Sequence, residues 1–496
     1  MKTITFLLSK KQKMKSILYI LGILLNVSYA TTASGTVYYV ATTGSDSNSG
    51  AQASPFLTGN KGVSVLIPGD TLYIKSGTYT EELLDNIPAG TSWNMPVTVA
   101  AYPGNTVTLK PNPGAGFVLH FQGPQQYIII DGLILDAVNT IYDAVKITDG
   151  ANHIRIQNAE IKNAAQQGVL VSGLYSGYNE FINLNVHNNR GVGSLDPDHY
   201  HGFYISTSNN LIEGSVISSN TGFGVHVYEE DFALYGRVDN NIVRNNRIYN
   251  NGNYTGSYAA GIIISSGDNN TAYNNLVWSN NRGIHIAYFN PTNTKVYNNT
   301  VYGNASGGSG GIEIGTDSQN ADVRNNIFYA NNVPEIQDNG AGTVLSNNLL
   351  GTDPKFVNAA GGDFHLQPGS PAIDSGLNLS PDVVDDFSGT LRPQGSGYDI
   401  GAYEYVSNPS ASTELPKTEN ELLIYPNPSN DGAFTIAIKE KGCSVVIFNL
   451  LGEQLYSSRI NSGKSEIDLS NQPGGIYFIT LKTEQRTINK KLIINR

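Results

Sequence analysis

A single cysteine, Cys443, occurs in 496 residues, so no intramolecular disulfide can brace the fold. Beyond the first thirty residues, every apolar run is strand-length and broken by Gly or Asn, which excludes a membrane-spanning helix. Helical periodicity is missing throughout the body, so stability must come from stacked strands. Positive charge is scarce where it would matter: residues 31–407 hold 15 Lys and Arg against 32 Asp and Glu, a net −17, whereas 408–496 hold 10 against 9. A body this acidic repels nucleic acid, anionic lipid and polyanionic glycans unless cations bridge the contact. No nucleic-acid partner is therefore expected, and a neutral substrate or bound Ca2+ is.

What is present instead is a repeat. A short apolar strand opened by Gly precedes an Asn-punctuated second strand, as in HGFYIS (201–206) with LIEGSVISSN (211–220) and GIEIG (311–315) with VRNNIFYAN (323–331). Equivalent positions fall at Asn158, Asn183, Gly214, Asn245, Asn274, Asn298, Asn325 and Asn347, spaced by 25, 31, 31, 29, 24, 27 and 22 residues. Units of this length cannot bury an apolar face alone and must stack, which predicts an all-β parallel β-helix. Asn at the corners tolerates the left-handed conformation and can hydrogen-bond along the stack, so this column is read as structural.

The ends read differently. Lys10, Lys11, Lys13 and Lys15 precede the apolar run 16–27 and the small-residue site Ser28-Tyr29-Ala30, the pattern of a secretory signal peptide over 1–30. Residues 38–79 (YYV, GSDSN, PF, PGDTLYI, GTY) resemble the opening of secreted β-helix proteins of the pectate-lyase-like superfamily, and the resemblance implies a right-handed helix. The segments DPKF, DFHLQPGSPAIDSG and YDIGAYEY within 353–405 resemble a terminal motif of bacterial secreted β-helix proteins and are expected to form final rungs and a cap, closing a body of 31–406. Residues 407–421 are polar and unpatterned, as a linker is. Residues 422–496, with YPNP and GIYF and a basic terminal segment, resemble the C-terminal sorting domain of Bacteroidetes type IX secretion. The resemblance implies a small β-sandwich serving as an export address and a secreted or cell-surface location reached through the Sec pathway and the type IX machinery. Because 407–421 lacks a strand pattern that would protect it from proteolysis, the domain is expected to be lost by cleavage there after export. A monomer is expected.

Alternation along Gly-h-x-h-x strands places Lys146, Leu170, Tyr204, His226, Ile263, His285 and Glu313 in one outward column. A second column two residues on is predicted to hold His120, Thr148, Ser172, Ser206, Tyr228, Ser265 and Ala287. Two irregular insertions flank Tyr204 and His226: 188–202, with Asp196, Asp198, His199 and His201, and 228–239, with Glu229, Glu230, Asp231 and Arg237. Loops at one level of a regular scaffold commonly build a site, so a groove is expected around 190–237. Lys146 and Glu313 are read as solvated ends of the column and His285 as surface decoration. His199 and His201 alone do not make a zinc site.

Three chemistries fit. A lyase or epimerase acting on uronates needs a base for the C5 proton and a cation facing the carboxylate, roles open to Tyr204 and His226 and to Arg190, Arg237, Lys146 or Ca2+. A glycoside hydrolase needs two carboxylates about 5–9.5 Å apart, which Asp196 or Asp198 with Glu229 or Glu230 could supply. A glycan binder without turnover would use Tyr175, Tyr178, Tyr204 and Tyr228. His199, His201 and Tyr228 join the basic residues as expected substrate contacts, and Asp196 and Asp198 are the expected calcium ligands. The segment DPDHYHG (196–202) resembles in part the Asp-Pro-His motif of mannuronan C5-epimerases, with Asp198 standing where those families place histidine, and adds a uronate C5-epimerase as a minor alternative. The leading expectation is a secreted protein that cleaves an extracellular polysaccharide along the outward strand face.

Overall fold

The computed structural model describes residues 35–190, 197–252, 257–304 and 310–406, and in the C-terminal region 423–425, 429, 432–438, 443–449, 454–460, 463–482 and 487–494. The expected signal peptide, the expected linker and Asp196 lie outside the described residues. Two compact units result, 1–406 and 407–496.

The body is a parallel β-solenoid. Every third strand pairs in parallel with its predecessor, giving three sheets of 12, 10 and 11 strands. Most strands are only three residues long; those of the second sheet read in-out-in, as in Phe203–Ile205 and Val225–Val227, and those of the first read out-in-out, as in Leu211–Glu213. The inward Val, Ile, Leu and Phe side chains of all three sheets join in one continuous buried cluster from Val40 to Phe328. A short helix, Gly59–Val63, places Val63 in that core beside Val40 and Leu72 at the N-terminal end, its first two backbone N–H groups held by the Glu81 carboxylate.

The corner positions named above are left-handed as expected, from Asn158 (φ 52°) through Asn245 (φ 56°) to Asn347 (φ 50°). In the later turns, however, the hydrogen-bonding ladder belongs to the next residue. Asn246 is fully buried; its N–H and Nδ2 both donate to Asn275 Oδ1, at 3.1 and 3.0 Å, and Nδ2 also donates to the Ile212 carbonyl. Asn275 repeats this on Asn299, Asn299 on Asn326 and Asn326 on Asn348. Asn-Asn pairs thus divide the work: the first residue turns the chain, and the second satisfies buried backbone groups across rungs.

Residues 353–405 do not continue the rungs. The parallel sheets end at Val344–Ser346, Ile336–Asp338 and Leu349–Leu350, and the chain then folds back along the flank. An antiparallel pair, Phe356–Asn358 with Asp363–Leu366, packs with Ile400 and Tyr403 against Leu276, Trp278 and Ile327. Arg392, paired with Glu404 at 2.7 Å, reaches Asn274 at 3.2 Å. Apolar side chains on the outer flank of the third sheet create a second small core, which is why this segment clamps several turns together instead of adding to their end.

The C-terminal unit holds a three-stranded and a four-stranded antiparallel sheet. Phe434, Ile436, Ile447, Ile479, Leu481 and Leu492 form their shared core.

Candidate functional site

The outward column forms in the order the alternation predicts: Lys146, Leu170, Tyr204, His226, Ile263, His285 and Glu313 are register partners in successive strands. His120 is the exception, since it pairs with Lys146 and therefore joins this column, after Leu84, instead of belonging to the second. Tyr204 and His226 lie face to face, ring centroids 5.2 Å apart and 26° from parallel. Tyr228, just past the strand end, stacks on both, 5.2 Å from His226 and 6.1 Å from Tyr204.

Behind them runs a fixed chain of hydrogen bonds. The Phe223 N–H donates to His201 Nδ1 (3.2 Å), His201 Nε2 lies 3.2 Å from His226 Nδ1, and His226 Nε2 lies 3.0 Å from Ser265 Oγ. Burial, followed by the neighbouring imidazole charges, holds His201 well below its ordinary pKa and His226 at about 3, so both are neutral. A neutral imidazole offers one donor and one acceptor. Because a backbone N–H occupies His201 Nδ1, its proton must sit on Nε2; it donates to His226 Nδ1, and His226 donates from Nε2 to Ser265.

The tyrosines are also held neutral. Burial raises the Tyr204 hydroxyl above its ordinary value, with the charges of Tyr228, Glu229 and Glu230 adding to it. Burial and the Glu230 carboxylate set against its hydroxyl push Tyr228 up to about 12. Around these groups opens a cleft of about 640 Å³, whose rim includes Phe223, Tyr258, Tyr288 and Phe289. Two strands are responsible for part of that rim. Ala260–Asp268 and Arg282–Thr292 run on past the usual three residues with register shifts after Ile264 and Ser266; the irregular pairing carries Tyr288, at φ 100°, and Phe289 out to the cleft. The repeat pattern carries no sign of these two residues, because the lengthened strands and their register shifts break the alternation that defines the columns.

Several expected site residues are placed elsewhere. Asp198 is buried at 1 % exposure; Oδ1 accepts from Ser257 Oγ at 2.6 Å and Oδ2 from the Tyr258 N–H at 2.9 Å. It joins two loops that wall the cleft, and both carboxylate oxygens are occupied. His201 is buried behind His226, with its N–H on Gln167, while His199 reaches the cleft wall. Arg237 is paired with Asp239 and lies over the Phe232 ring, beside a different cleft. Lys146 stands two rungs from Tyr204, roughly 10 Å along the stack, over the Phe117 ring. Arg190 is exposed at the entrance to the undescribed stretch of the first insertion. His285 is not surface decoration: it is buried, with Nε2 3.7 Å from Glu313, and burial holds its pKa at about 3. Glu313 is not a solvated end either, since Arg282 bonds it at 3.0 Å. Among the described residues no three His, Cys, Asp or Glu side chains cluster as metal ligands, and no helix is long and apolar enough to cross a membrane.

Comparison with known proteins agrees with this architecture. Residues 38–198 match the family model described as Pel9A-like, right handed beta helix region, and residues 125–288 and 176–367 match the right handed beta helix region model. Residues 423–495 match the secretion system C-terminal sorting domain. The solved structure of pectate lyase Pel9A superposes with a TM-score of 0.53 at 18% identity, covering 75% of this chain and 98% of that one; a rhamnogalacturonan lyase structure does so at 0.47 and 17%, covering 65% and 91%. An ulvan lyase of Nonlabens ulvanivorans is 37% identical over 75 residues, 14% of each protein, so the chain spans only a small part of that relative. The protein is thus a right-handed parallel β-helix with a type IX sorting domain, which marks it for export.

Proposed function

We propose that this exported right-handed β-helix protein cleaves a uronic-acid-containing extracellular polysaccharide by β-elimination in the Tyr204–His226–Tyr228 cleft. The observation that carries the reading is the pairing of two protonated tyrosines with a neutral histidine, one of the tyrosines backed by Glu230. Tyr228 accepts the C5 proton as its own proton passes to Glu230; the C5 electron pair forms the C4–C5 double bond; the C4–O bond breaks, and the leaving oxygen takes the Tyr204 proton. His226, locked by His201 and Ser265, holds the two rings in place. The pectate and ulvan lyases above, so named, lend the substrate class.

A glycoside hydrolase finds less support. It would need a second carboxylate facing Glu229 or Glu230; Asp198 braces Ser257 and Tyr258 instead, and Asp196 lies outside the described residues. No acidic cluster among the described residues offers a calcium site, and Asp196, the other expected ligand, lies outside them. The cation that must face the uronate carboxylate comes from solution, where it also screens an acidic protein from an acidic polymer.

The test is incubation of purified protein with polygalacturonate, ulvan and neutral xylan, following both reducing ends and the ultraviolet absorbance of unsaturated uronyl products. New ends with that absorbance are expected on a uronate polymer. New ends without it would establish a hydrolase, and retention of polymer without new ends a glycan binder.

A further inference from the structure

The fold places asparagine in the left-handed conformation at one corner of successive turns: Asn209, Asn240, Asn269, Asn293 and Asn320, with φ between 52° and 64°. The same corner in the three preceding turns carries Tyr127 (φ 52°), His153 (φ 52°) and Tyr178 (φ 61°). Strand register and backbone bonds fix the equivalence, since Gln126 pairs with Asn152, and His153, Tyr178 and Asn209 each donate to the following turn. A tyrosine ring is poorly suited to this conformation, which Asn and His accept far more readily. No core burial offsets that misfit at Tyr178, which is 55 % exposed.

The rings form a ladder on the outer surface. Trp93 meets Tyr127 edge-on at 5.5 Å, Tyr127 lies 4.7 Å from His153, and His153 stacks on Tyr178 at 5.2 Å and 5°. The ladder stops at Tyr178 because Asn209 follows it. Beyond Tyr178 lies a cleft of about 420 Å³, lined also by Tyr175, Tyr235 and Arg237. Tyr175 is 84 % exposed. The loop that brings Tyr235 and Arg237 here is the same 228–239 insertion whose first residues, Tyr228 and Glu230, serve the Tyr204 cleft.

We propose that this aromatic cleft is a second carbohydrate site, in which a pyranose ring of the polysaccharide stacks its apolar face on Tyr178 and meets Arg237 at its polar edge. A rigid ring with one face open and a polar group at its margin is suited to a ligand that is apolar on its faces and hydroxylated around its rim. The shared insertion supplies a wall to each of the two clefts, so that one polymer chain would engage both. The identity of the ligand as a polysaccharide rests on the proposed function.

Affinity electrophoresis of the full chain through gels containing polygalacturonate, ulvan or xylan tests this. Tyr178→Asn is the informative variant, because it installs the residue the fold uses at this corner in the next five turns and should leave the thermal midpoint unchanged. It is expected to weaken retardation about three- to tenfold, the factor of one aromatic stacking contact, while Tyr178→Phe retains it. Retardation of Tyr178→Asn equal to wild type, or no retardation of the wild type in any gel, overturns the site. Parallel product assays separate the two proposals: retardation that depends on Tyr178 without unsaturated products sustains this site and removes the β-elimination reading, and products with Tyr178-independent retardation do the reverse.

Discussion

His201 Nε2 and His226 Nδ1 stand 3.2 Å apart in a chain of bonds whose direction is set by a backbone N–H. An imidazole in such a chain cannot exchange its donor and acceptor roles without leaving His201 and Phe223 donor-to-donor. His226 therefore orients Tyr204 and Tyr228 while its own ring nitrogens stay engaged.

His226→Ala should lower turnover and also stability, because His201 Nε2–H loses its buried acceptor. An unsatisfied buried polar group costs about 1–3 kcal/mol. Urea titration should show the midpoint lowered in this variant. In wild-type protein carrying 15N-labelled histidine, nitrogen shifts should show His226 protonated on Nε2 alone; protonation on Nδ1 would contradict the assignment.

Tyr204→Phe retains the ring and its stacking but removes the transferable proton. Turnover should fall by roughly 10²- to 10⁴-fold, with substrate affinity and thermal midpoint nearly unchanged. The inward neighbour behaves oppositely: Ile205, 1 % exposed, should lose about 2–5 kcal/mol of stability on replacement by Ala through the cavity left behind.

Three buried imidazoles, His201, His226 and His285, have native pKa values depressed below the ordinary histidine range, the last two to about 3. The unfolded chain thus binds more protons than the native one below about pH 6.5. Stability is fully present above that pH and falls as the solution is acidified toward pH 3, by about 2 kcal/mol at most per imidazole by pH 5. Thermal midpoints measured across pH 8 to 4 should decline below pH 6.5, and less steeply in His285→Asn.

Cations should act by screening. At low ionic strength, Ca2+ should lower KM on polygalacturonate, and a sufficient concentration of NaCl should reproduce the effect, since the body carries a net −17. Chelation in moderate salt should then change nothing. Activity abolished by chelator and restored by Ca2+ alone would show a specific ion site instead.

The stack, its repeat boundaries and the register of Tyr204 on His226 were legible in the sequence. Strand alternation and repeat length leave one way to bury the apolar residues, and a parallel register follows from aligning them. The left-handed Asn corners were legible for the same reason, as few other residues accept that backbone conformation. Tertiary structure alone decided the rest. Whether an outward side chain meets water depends on loops from other turns: Ile263 and His285 are covered, whereas Tyr178 is open. Asp198 is a loop brace because Ser257 and Tyr258, some sixty residues away, supply its donors. The terminal segment clamps the flank because aromatic residues of several turns line up only once the solenoid is wound. Local pattern fixes which way a side chain points, and long-range packing fixes what it meets there.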